Sequence, residues 1–332
     1  MGFLLGIIYL SFISLGLPDA LLGAAWPNMY PAFHVPVSYA GAISMIIAFG
    51  TIISSLQSDR LTRRFGTGKV TAVSVGITAL ALWGFSISHS FLMLCLWAVP
   101  YGLGAGSVDA SLNNYVTLHY ASKHMSWLHC MWGVGATLGP YIMGAVLTGG
   151  AIWNTGYRII SVLQIVLTAV LVFSLPKWKE QKTSSEETMG GKVLSLKEII
   201  GIPGAKAIMI CFFCYCAVEQ TTMLWASSYL NLAKGVDAKM AASFAGMFCI
   251  GITVGRGING FIAMKLNDRQ MICMGQAIIG VQMASAYIGT CLMPPLFGLL
   301  ANHISIRLLP VYLLILLGLM VYMHERLERK VH

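Results

Sequence analysis

Charged side chains are scarce in this sequence. Asp, Glu, Lys and Arg make up 10% of its 332 residues, whereas a soluble globular protein has about 25%. The hydrophobic fraction is 57% and the mean hydropathy is +0.75. These values exclude an ordinary soluble domain. They raise the question of how often the chain crosses a bilayer, since one crossing needs about 20 mostly apolar residues.

Familiar catalytic and metal-binding patterns are also missing. The sequence has no Gly-rich phosphate loop followed by Lys, no Ser-His-Asp context and no zinc-type ligand spacing. Its eight cysteines include CFFC at 211–214, but no second pair accompanies it. We interpret the cysteines as small apolar packing residues. We therefore expect no enzymatic activity, no metal and no cofactor.

Apolar segments dominate what is present. They predict an all-α membrane protein with ten transmembrane helices. No basic region precedes the first segment, so we interpret it as a true span and not as a cleaved signal peptide. The predicted spans lie at approximately 3–29, 39–57, 69–88, 90–117, 125–149, 157–176, 205–230, 239–263, 277–301 and 304–323.

Basic residues concentrate on one side of these predicted spans. With the N-terminus inside, most of the 21 Lys and Arg residues fall in inner segments, and only a few, such as Arg158 and Arg307, fall in outer ones. This asymmetry predicts a multi-pass plasma-membrane protein with cytoplasmic N- and C-termini. The net charge of +9 then reflects topology and contact with anionic membrane lipids. We expect no nucleic-acid partner.

Two parts of the sequence repeat each other. YAGAISMIIAFGTIISSLQSDRL at 39–61 aligns with FAGMFCIGITVGRGINGFIAMKL at 244–266, and GVGATLGPYIMG at 133–144 aligns with AYIGTCLMPPLFG at 286–298. The two constant offsets differ by about 50 residues, the length of two spans and their connection. We infer two parallel halves, six helices plus four, with an internal deletion near 271–280. An unusual natural variant and a damaged gene are both compatible with this pattern.

The predicted organisation is a six-helix bundle at 1–178, a cytoplasmic linker at 179–204 and a shortened four-helix bundle at 205–332. The linker is charged and rich in Ser and Thr, which suits a flexible tether. Two parallel halves with such a tether resemble the major facilitator superfamily. The resemblance implies a two-bundle fold whose halves rock about a central site.

The segment SLQSDRLTRR at 55–64 is similar to that family's signature after the second helix. Ser and Thr stand at 55 and 62, where glycines are usual. In the family this loop latches the two halves on the cytoplasmic side, so the resemblance implies a cytoplasmic gate. A charge cluster that only fixes topology is the alternative. The matching charged residues are Asp59, Arg60, Arg63 and Arg64.

Within the superfamily, four stretches resemble the fucose permease group of sugar–proton symporters. They are GLPDALLGAAWP at 16–27, GLGAGSVDASLNNY at 102–115, WLHCMWGVGATLGP at 127–140 and YCAVEQTTMLW at 215–225. The resemblance implies a secondary active transporter that takes up a small sugar or polyol together with protons.

Three acids lie inside the predicted spans: Asp19, Asp109 and Glu219. An ionised side chain at the bilayer centre costs about 2.5–3.5 kcal/mol on insertion scales, so such residues face a cavity, a partner or both. A carboxyl whose surroundings alternate between wet and dry can gain and lose a proton, as proton coupling requires. For any one of these acids, a local bond to the backbone or to a neighbouring Ser or Thr is the alternative.

By resemblance, Asp19 and Asp109 take the proton-coupling and substrate roles, and Glu219 is a further acid on the substrate side. Gly106 and Asn113 share a helical face with Asp109, so that face combines a small residue with an amide. Acids, amides and aromatics on such faces suit a sugar. Weaker candidates for the pocket wall are Asn113, Asn114, Gln220, Trp225, Trp26 and Gln282.

Two basic residues within the spans receive local interpretations. Arg256, in GRGING at 255–260, is expected to extend to the membrane surface or to pair with the linker. A counter-charge inside a cavity is the less favoured alternative. His129 is expected to cap a helix or bond locally, and a proton relay is less favoured.

Two alternatives to transport stay open. The missing helix pair would supply one wall of the cavity, so its loss could leave a non-transporting remnant. A sugar-binding membrane sensor that no longer cycles is the second alternative. For a transporter, the expected partners are a small-molecule solute and protons, with membrane lipids around them.

Overall fold

The computed structural model describes residues 2–121, 123–178, 204–263 and 285–331. All regular secondary structure within these ranges is helical. The helices are α1 (Gly2–Asp19), α2 (Leu21–Ala32), α3 (Tyr39–Phe65), α4 (Thr67–Ser86), α5 (Phe91–His119), α6 (Lys123–Thr148), α7 (Trp153–Ser174), α8 (Ala205–Lys234), α9 (Ala238–Ala263), α10 (285–300) and α11 (Leu309–Val331).

Three sequence predictions fall outside these ranges. They are the linker at 179–204, of which only Gly204 is described, the proposed deletion near 271–280, and Gln282. The sequence predictions for these positions therefore stay predictions.

Within the described ranges, nine segments are long and apolar enough to cross a membrane. The sequence predicts ten. The difference arises at the end of the chain, where the predicted ninth and tenth spans are replaced by one segment, Ser285–Leu327, of 43 residues. A straight helix of that length would be about twice as long as the hydrocarbon core is thick. The segment has to bend.

The bend lies between α10 and α11, in a π-helical turn at Ala301–Ser305 followed by a 3-10 turn at Ile306–Leu308. The Tyr312 hydroxyl of α11 donates to the Met293 carbonyl of α10 at 3.0 Å, and the Phe297 and Tyr312 rings lie 5.3 Å apart. These contacts show that α10 and α11 lie side by side as a hairpin against α8.

In the first half, α1 packs on α6, and α4 packs on both α5 and α7. Small residues allow the α1–α6 pair to touch at the backbone. A side chain added at Gly135 would overlap the Ile13 carbonyl oxygen, and one added at Gly16 would lie 2.8 Å from the backbone nitrogen of Ala136. This is the close approach that glycine permits between membrane helices.

A proline inside α1 creates a second link within the first half. Pro18 has no N–H, so the Ser14 carbonyl one turn earlier lacks its usual helical donor. The side-chain amide N–H of Gln164 on α7 donates to that carbonyl at 2.9 Å, and the Thr78 hydroxyl of α4 donates to Gln164 Oε1 at 2.6 Å. A buried chain of polar groups thus joins α1, α7 and α4.

Several helix pairs join the two halves, and α2 packs closely on α8, where a side chain added at Gly23 would overlap the Met223 carbonyl oxygen. Two further pairs are α6–α9 and α3–α10. In one, α6 packs on α9: the Thr137 and Thr253 hydroxyls lie 3.3 Å apart, and the Cys130 thiol contacts the Thr253 carbonyl at 3.7 Å. In the other, Ser55 of α3 lies 3.3 Å from the Tyr287 hydroxyl of α10. Helices from both halves therefore surround the space between these pairs.

Candidate functional site

A cavity of about 280 Å³ lies between the two halves. Five helices of the first half, α1, α2, α3, α5 and α6, and three of the second, α8, α9 and α10, contribute to its wall. All three acids singled out in the sequence line it. Its polar and charged lining residues are Asp19, Ser44, Thr51, Tyr101, Asp109, His129, Trp132, Glu219, Gln220, Arg256, Tyr287 and Thr290.

Asp19 is the last residue of α1, at the break before α2. Its two carboxylate oxygens each accept a hydrogen bond. The Tyr101 hydroxyl donates to Oδ1 at 3.1 Å, and the Trp132 indole N–H donates to Oδ2 at 2.7 Å. Both donors are neutral, so they fix the position of the carboxyl without neutralising its charge.

Asp109 lies on α5, half-buried in the cavity wall. The Asn113 side-chain amide donates to Asp109 Oδ1 and to the Asp109 carbonyl, each at 2.9 Å. Gly106, one turn earlier, lies against the Thr51 backbone of α3. The small residues on this face therefore admit a neighbouring helix, and Asn113 holds the acid without lining the cavity itself.

Glu219 of α8 is buried and paired with Arg256 of α9. The Arg256 Nη2 atom lies 3.0 Å from Oε1 and 3.2 Å from Oε2 of Glu219, and it also donates to the Tyr215 hydroxyl at 2.9 Å. The sequence interpretation of Arg256 as a residue extending to the membrane surface is wrong. Its guanidinium points into the cavity, because Glu219 and Tyr215 of α8 lie beside it there.

The Arg256 guanidinium also lies over the face of Trp132, with its central carbon 4.6 Å from the ring centre. This is within the usual range of a cation–π contact. His129, one turn before Trp132 on α6, lines the cavity and packs against the Phe12 ring in an edge-to-face arrangement, with the two ring centres 5.9 Å apart. The expectation of a purely local role for His129 overlooked this exposure to the cavity.

Three aromatic residues of the wall were not singled out from the sequence: Tyr101, Trp132 and Tyr287. Each carries a hydrogen-bonding group within an apolar segment. The signal that could have identified them is the cost of burying such a group without a partner. Nothing in the sequence names the partner, since it comes from another helix.

The weaker pocket candidates divide into two groups. Gln220 lines the cavity, whereas Asn113, Asn114, Trp26 and Trp225 do not. Both tryptophans are fully buried elsewhere: the Trp26 indole donates to the Val37 carbonyl at 2.7 Å, and the Trp225 indole donates to the Pro294 carbonyl at 2.9 Å. They anchor backbone segments near the cavity.

The charged cluster at the end of α3 lies outside the cavity. Arg63 and Asp59 form an ion pair at 2.9 Å within the same helix, with both side chains largely exposed. Arg64 packs on the neighbouring Phe65 ring at 5.3 Å, and Arg60 is exposed. The cytoplasmic gate implied for these residues stays a prediction.

The family model of the Major Facilitator Superfamily matches residues 8–281, most of the chain. The chain belongs to the Major Facilitator Superfamily. It is therefore a multi-pass membrane protein with an all-helical fold, as the sequence predicts. The nucleoside transporter NupG shares this fold, with a TM-score of 0.70 at 11% sequence identity over 98% of this chain and 99% of NupG.

Relatives of this superfamily member are distant. It is 22% identical to the Bypass of stop codon protein 6 of Saccharomyces cerevisiae, over 78% of this chain and 56% of the yeast protein. It is 23% identical to the cis,cis-muconate transport protein of Acinetobacter baylyi, over 93% of this chain and 74% of that protein. It is 21% identical to the glucose/mannose transporter GlcP of Bacillus subtilis, over 84% of this chain and 71% of GlcP. The chain thus spans little more than half the length of the yeast relative.

Proposed function

We propose that this chain is a secondary active transporter of the plasma membrane. It takes up a small sugar or polyol with protons by alternating access. The observation that carries the proposal is the cavity between the halves, into which three carboxyls and one guanidinium project from four helices. In the superfamily's rocking mechanism, a site at this place faces each side of the membrane in turn.

The cavity wall suits a small neutral solute with several hydroxyls. Asp109 and Gln220 offer acceptors and donors for the hydroxyls of such a solute. A volume of about 280 Å³ is the share of roughly nine water molecules in the liquid. This is room for one sugar ring. The named specificity of the relative GlcP agrees with this solute class.

The ion pairing in the cavity separates the roles of the three acids. Glu219 forms an ion pair with Arg256. Among the described residues, Asp19 and Asp109 have no basic side chain in ion-pair contact. Protonation is then the means by which these two carboxyls lose their charge in the low-dielectric state, so we assign them proton coupling.

With this function we propose an organisation of six helices plus four, with cytoplasmic termini and an internal deletion. The sequence repeat supports it, and the α10–α11 hairpin supplies the last pair of helices. A full-length sibling gene with about 50 more residues near 271–280 would establish the deletion.

Uptake into proteoliposomes tests the proposal. The purified chain is reconstituted, a proton gradient is imposed, and accumulation of radiolabelled monosaccharides and polyols is measured, with cis,cis-muconate as a separate arm. We expect accumulation of one of the neutral solutes, driven by the gradient and lost in Asp109→Asn. The matched control is Asp237→Asn, which alters an exposed acid in the loop before α9.

Each other outcome identifies an alternative. Saturable binding of a sugar without accumulation indicates a sensor. Neither binding nor accumulation indicates a non-transporting remnant. Accumulation of muconate alone would replace the sugar by an organic anion, with Arg256 as its counter-charge.

A further inference from the structure

Trp132 of α6 is contacted at its edge and at its face by groups from different halves. Its indole N–H donates to Asp19 Oδ2 at 2.7 Å, and the Arg256 guanidinium lies 4.6 Å above its ring. Arg256 in turn holds Glu219 at 3.0 Å. A single rigid side chain therefore connects a carboxyl of the first half to the buried ion pair of the second.

We propose that Trp132 is a positioning residue that transmits the charge of Asp19 to the Arg256–Glu219 ion pair, and through that pair to the contact between α6 and α9. The inference deepens the proposed function, on which it rests, because it names the link between proton binding and movement of the halves.

The two contacts of Trp132 depend on each other. A hydrogen bond to an ionised carboxylate is about twice as strong as one to a neutral group, so neutralising Asp19 weakens its hold on the indole. Tryptophan has only two side-chain torsions, and its ring moves as one plane. A ring that tilts away from Asp19 also changes the face that it presents to Arg256.

Other groups near Asp19 do not make this connection. Tyr101 binds the opposite carboxylate oxygen from within the same half. Trp132 makes a hydrogen bond to Asp19 and a cation–π contact with Arg256. The titratable and charged groups that line the cavity with Asp19 are Tyr101, Asp109, His129, Glu219, Arg256 and Tyr287, and Cys249 interacts with Asp19 electrostatically.

The chain contains its own reporter for the α6–α9 contact. Cys130 lies on α6 two residues before Trp132, is only 7% exposed, and contacts the Thr253 carbonyl of α9 through its thiol at 3.7 Å. A maleimide reaches this thiol when α6 and α9 separate. Its labelling rate therefore reports the interface in the absence of any solute.

The experiment measures N-ethylmaleimide labelling of Cys130 in the purified full chain in lipid nanodiscs. Labelled peptides are quantified by mass spectrometry at one fixed pH. The four proteins are the wild type, Asp19→Asn, Trp132→Phe and the double variant. Trp132→Phe keeps an aromatic face and removes the N–H. We expect Asp19→Asn to change the labelling rate by at least about fivefold, the lower end of usual coupling between sites. The effect should vanish in the Trp132→Phe background.

A matched control and a second variant keep the result decisive. Trp83→Phe alters another tryptophan that carries a cation–π contact, with Arg158 at 5.8 Å, away from the cavity. Asp19→Asn should retain its full effect in that background. If Trp132→Phe does not fold, Arg256→Lys breaks the other end of the connection, since lysine lacks the planar guanidinium. It should abolish the effect of Asp19→Asn in the same way.

The proposal is overturned if Asp19→Asn has no effect in the wild-type background. It is also overturned if the effect is the same with and without the Trp132 N–H, or if Trp83→Phe abolishes it as well. Because no solute is used, this outcome is independent of the uptake measurement. A chain that transports nothing can still show the coupling, and a chain without the coupling can still transport.

Discussion

Arg256 and Glu219 are 37 residues apart in the chain, and their side chains meet at 3.0 Å in the wall of the cavity. They come from adjacent antiparallel helices of the second half. Glu219 is almost fully buried, and Arg256 is about one quarter exposed. A charge pair held this far inside a membrane bundle has consequences for stability and for binding.

Breaking this pair should destabilise the protein. Glu219→Gln and Arg256→Gln each leave one uncompensated buried charge, and we expect each to cost about 3 kcal/mol of unfolding free energy. The double variant removes both charges and should recover part of that loss. Thermal unfolding of the four purified proteins gives the comparison. Losses that simply add would show that the two residues act independently.

Close helix contact at Gly135 predicts a second stability effect. Gly135→Ala places a methyl group against the Ile13 carbonyl oxygen and should cost about 1–3 kcal/mol by overpacking. Gly251→Ala on α9 is the matched control, because no described atom lies within 4 Å of its added methyl group. It should be neutral or stabilising by up to about 1 kcal/mol. Equal effects of the two variants in thermal unfolding would contradict the close crossing of α1 and α6.

The buried chain of polar groups through Gln164 predicts a third effect on stability. Thr78→Val removes the hydroxyl that donates to the Gln164 side-chain oxygen, and this should cost about 1–3 kcal/mol because the site is buried. Thr168→Val, one turn along α7, removes a hydroxyl that donates to the Gln164 backbone carbonyl. Its effect should be much smaller. Denaturation midpoints of the two variants distinguish a supporting network from two unrelated hydroxyls.

Solute affinity should depend on Gln220 and not on Trp225. Gln220→Ala removes a hydrogen-bonding group from the cavity wall, and a loss of about 1 kcal/mol raises KM for the transported sugar about fivefold. Trp225→Phe removes an N–H that is bonded to the Pro294 carbonyl outside the cavity. It should lower thermal stability and leave KM unchanged. A raised KM in Trp225→Phe would indicate that Trp225 contacts the solute.

The class of fold and the acids of the cavity could be predicted because both follow from the free-energy cost of placing side chains in lipid or in water. Long apolar segments have to lie in lipid, and a carboxyl inside one of them needs a polar environment. This cost singles out the three acids within the apolar segments, and all three line the cavity: Asp19, Asp109 and Glu219. Their proposed roles need the uptake experiment.

The tryptophans show where sequence spacing misleads. Trp26 is seven residues after Asp19, which on one continuous helix returns to the same face within about 20°. The chain is not continuous there: α1 ends at Asp19 and α2 begins at Leu21. Trp225 is six residues after Glu219, which turns it through about 240° from the acid. Helical periodicity predicts a shared face only within one uninterrupted helix, and only for residues separated by nearly a whole number of turns.

Arg256 and Trp132 could not be placed from the sequence for a different reason. The length of an arginine side chain allows it to reach either the membrane surface or the interior. The choice is made by two contacts: Glu219 on α8 lies in the same half as Arg256, and Trp132 on α6 is brought to it by packing between the halves. Contacts between distant helices decide such cases, and one sequence does not encode them in any local pattern.

Pro18 and Gln164 are functionally linked, although they lie on different helices, because both act on the Ser14 carbonyl. The proline releases a carbonyl, and the glutamine satisfies it. A homologue with an ordinary residue at position 18 would satisfy that carbonyl within its own helix, and its position 164 would be free to become apolar. The two positions should therefore change together during evolution, and a chain that loses the glutamine first would pass through a weakened intermediate.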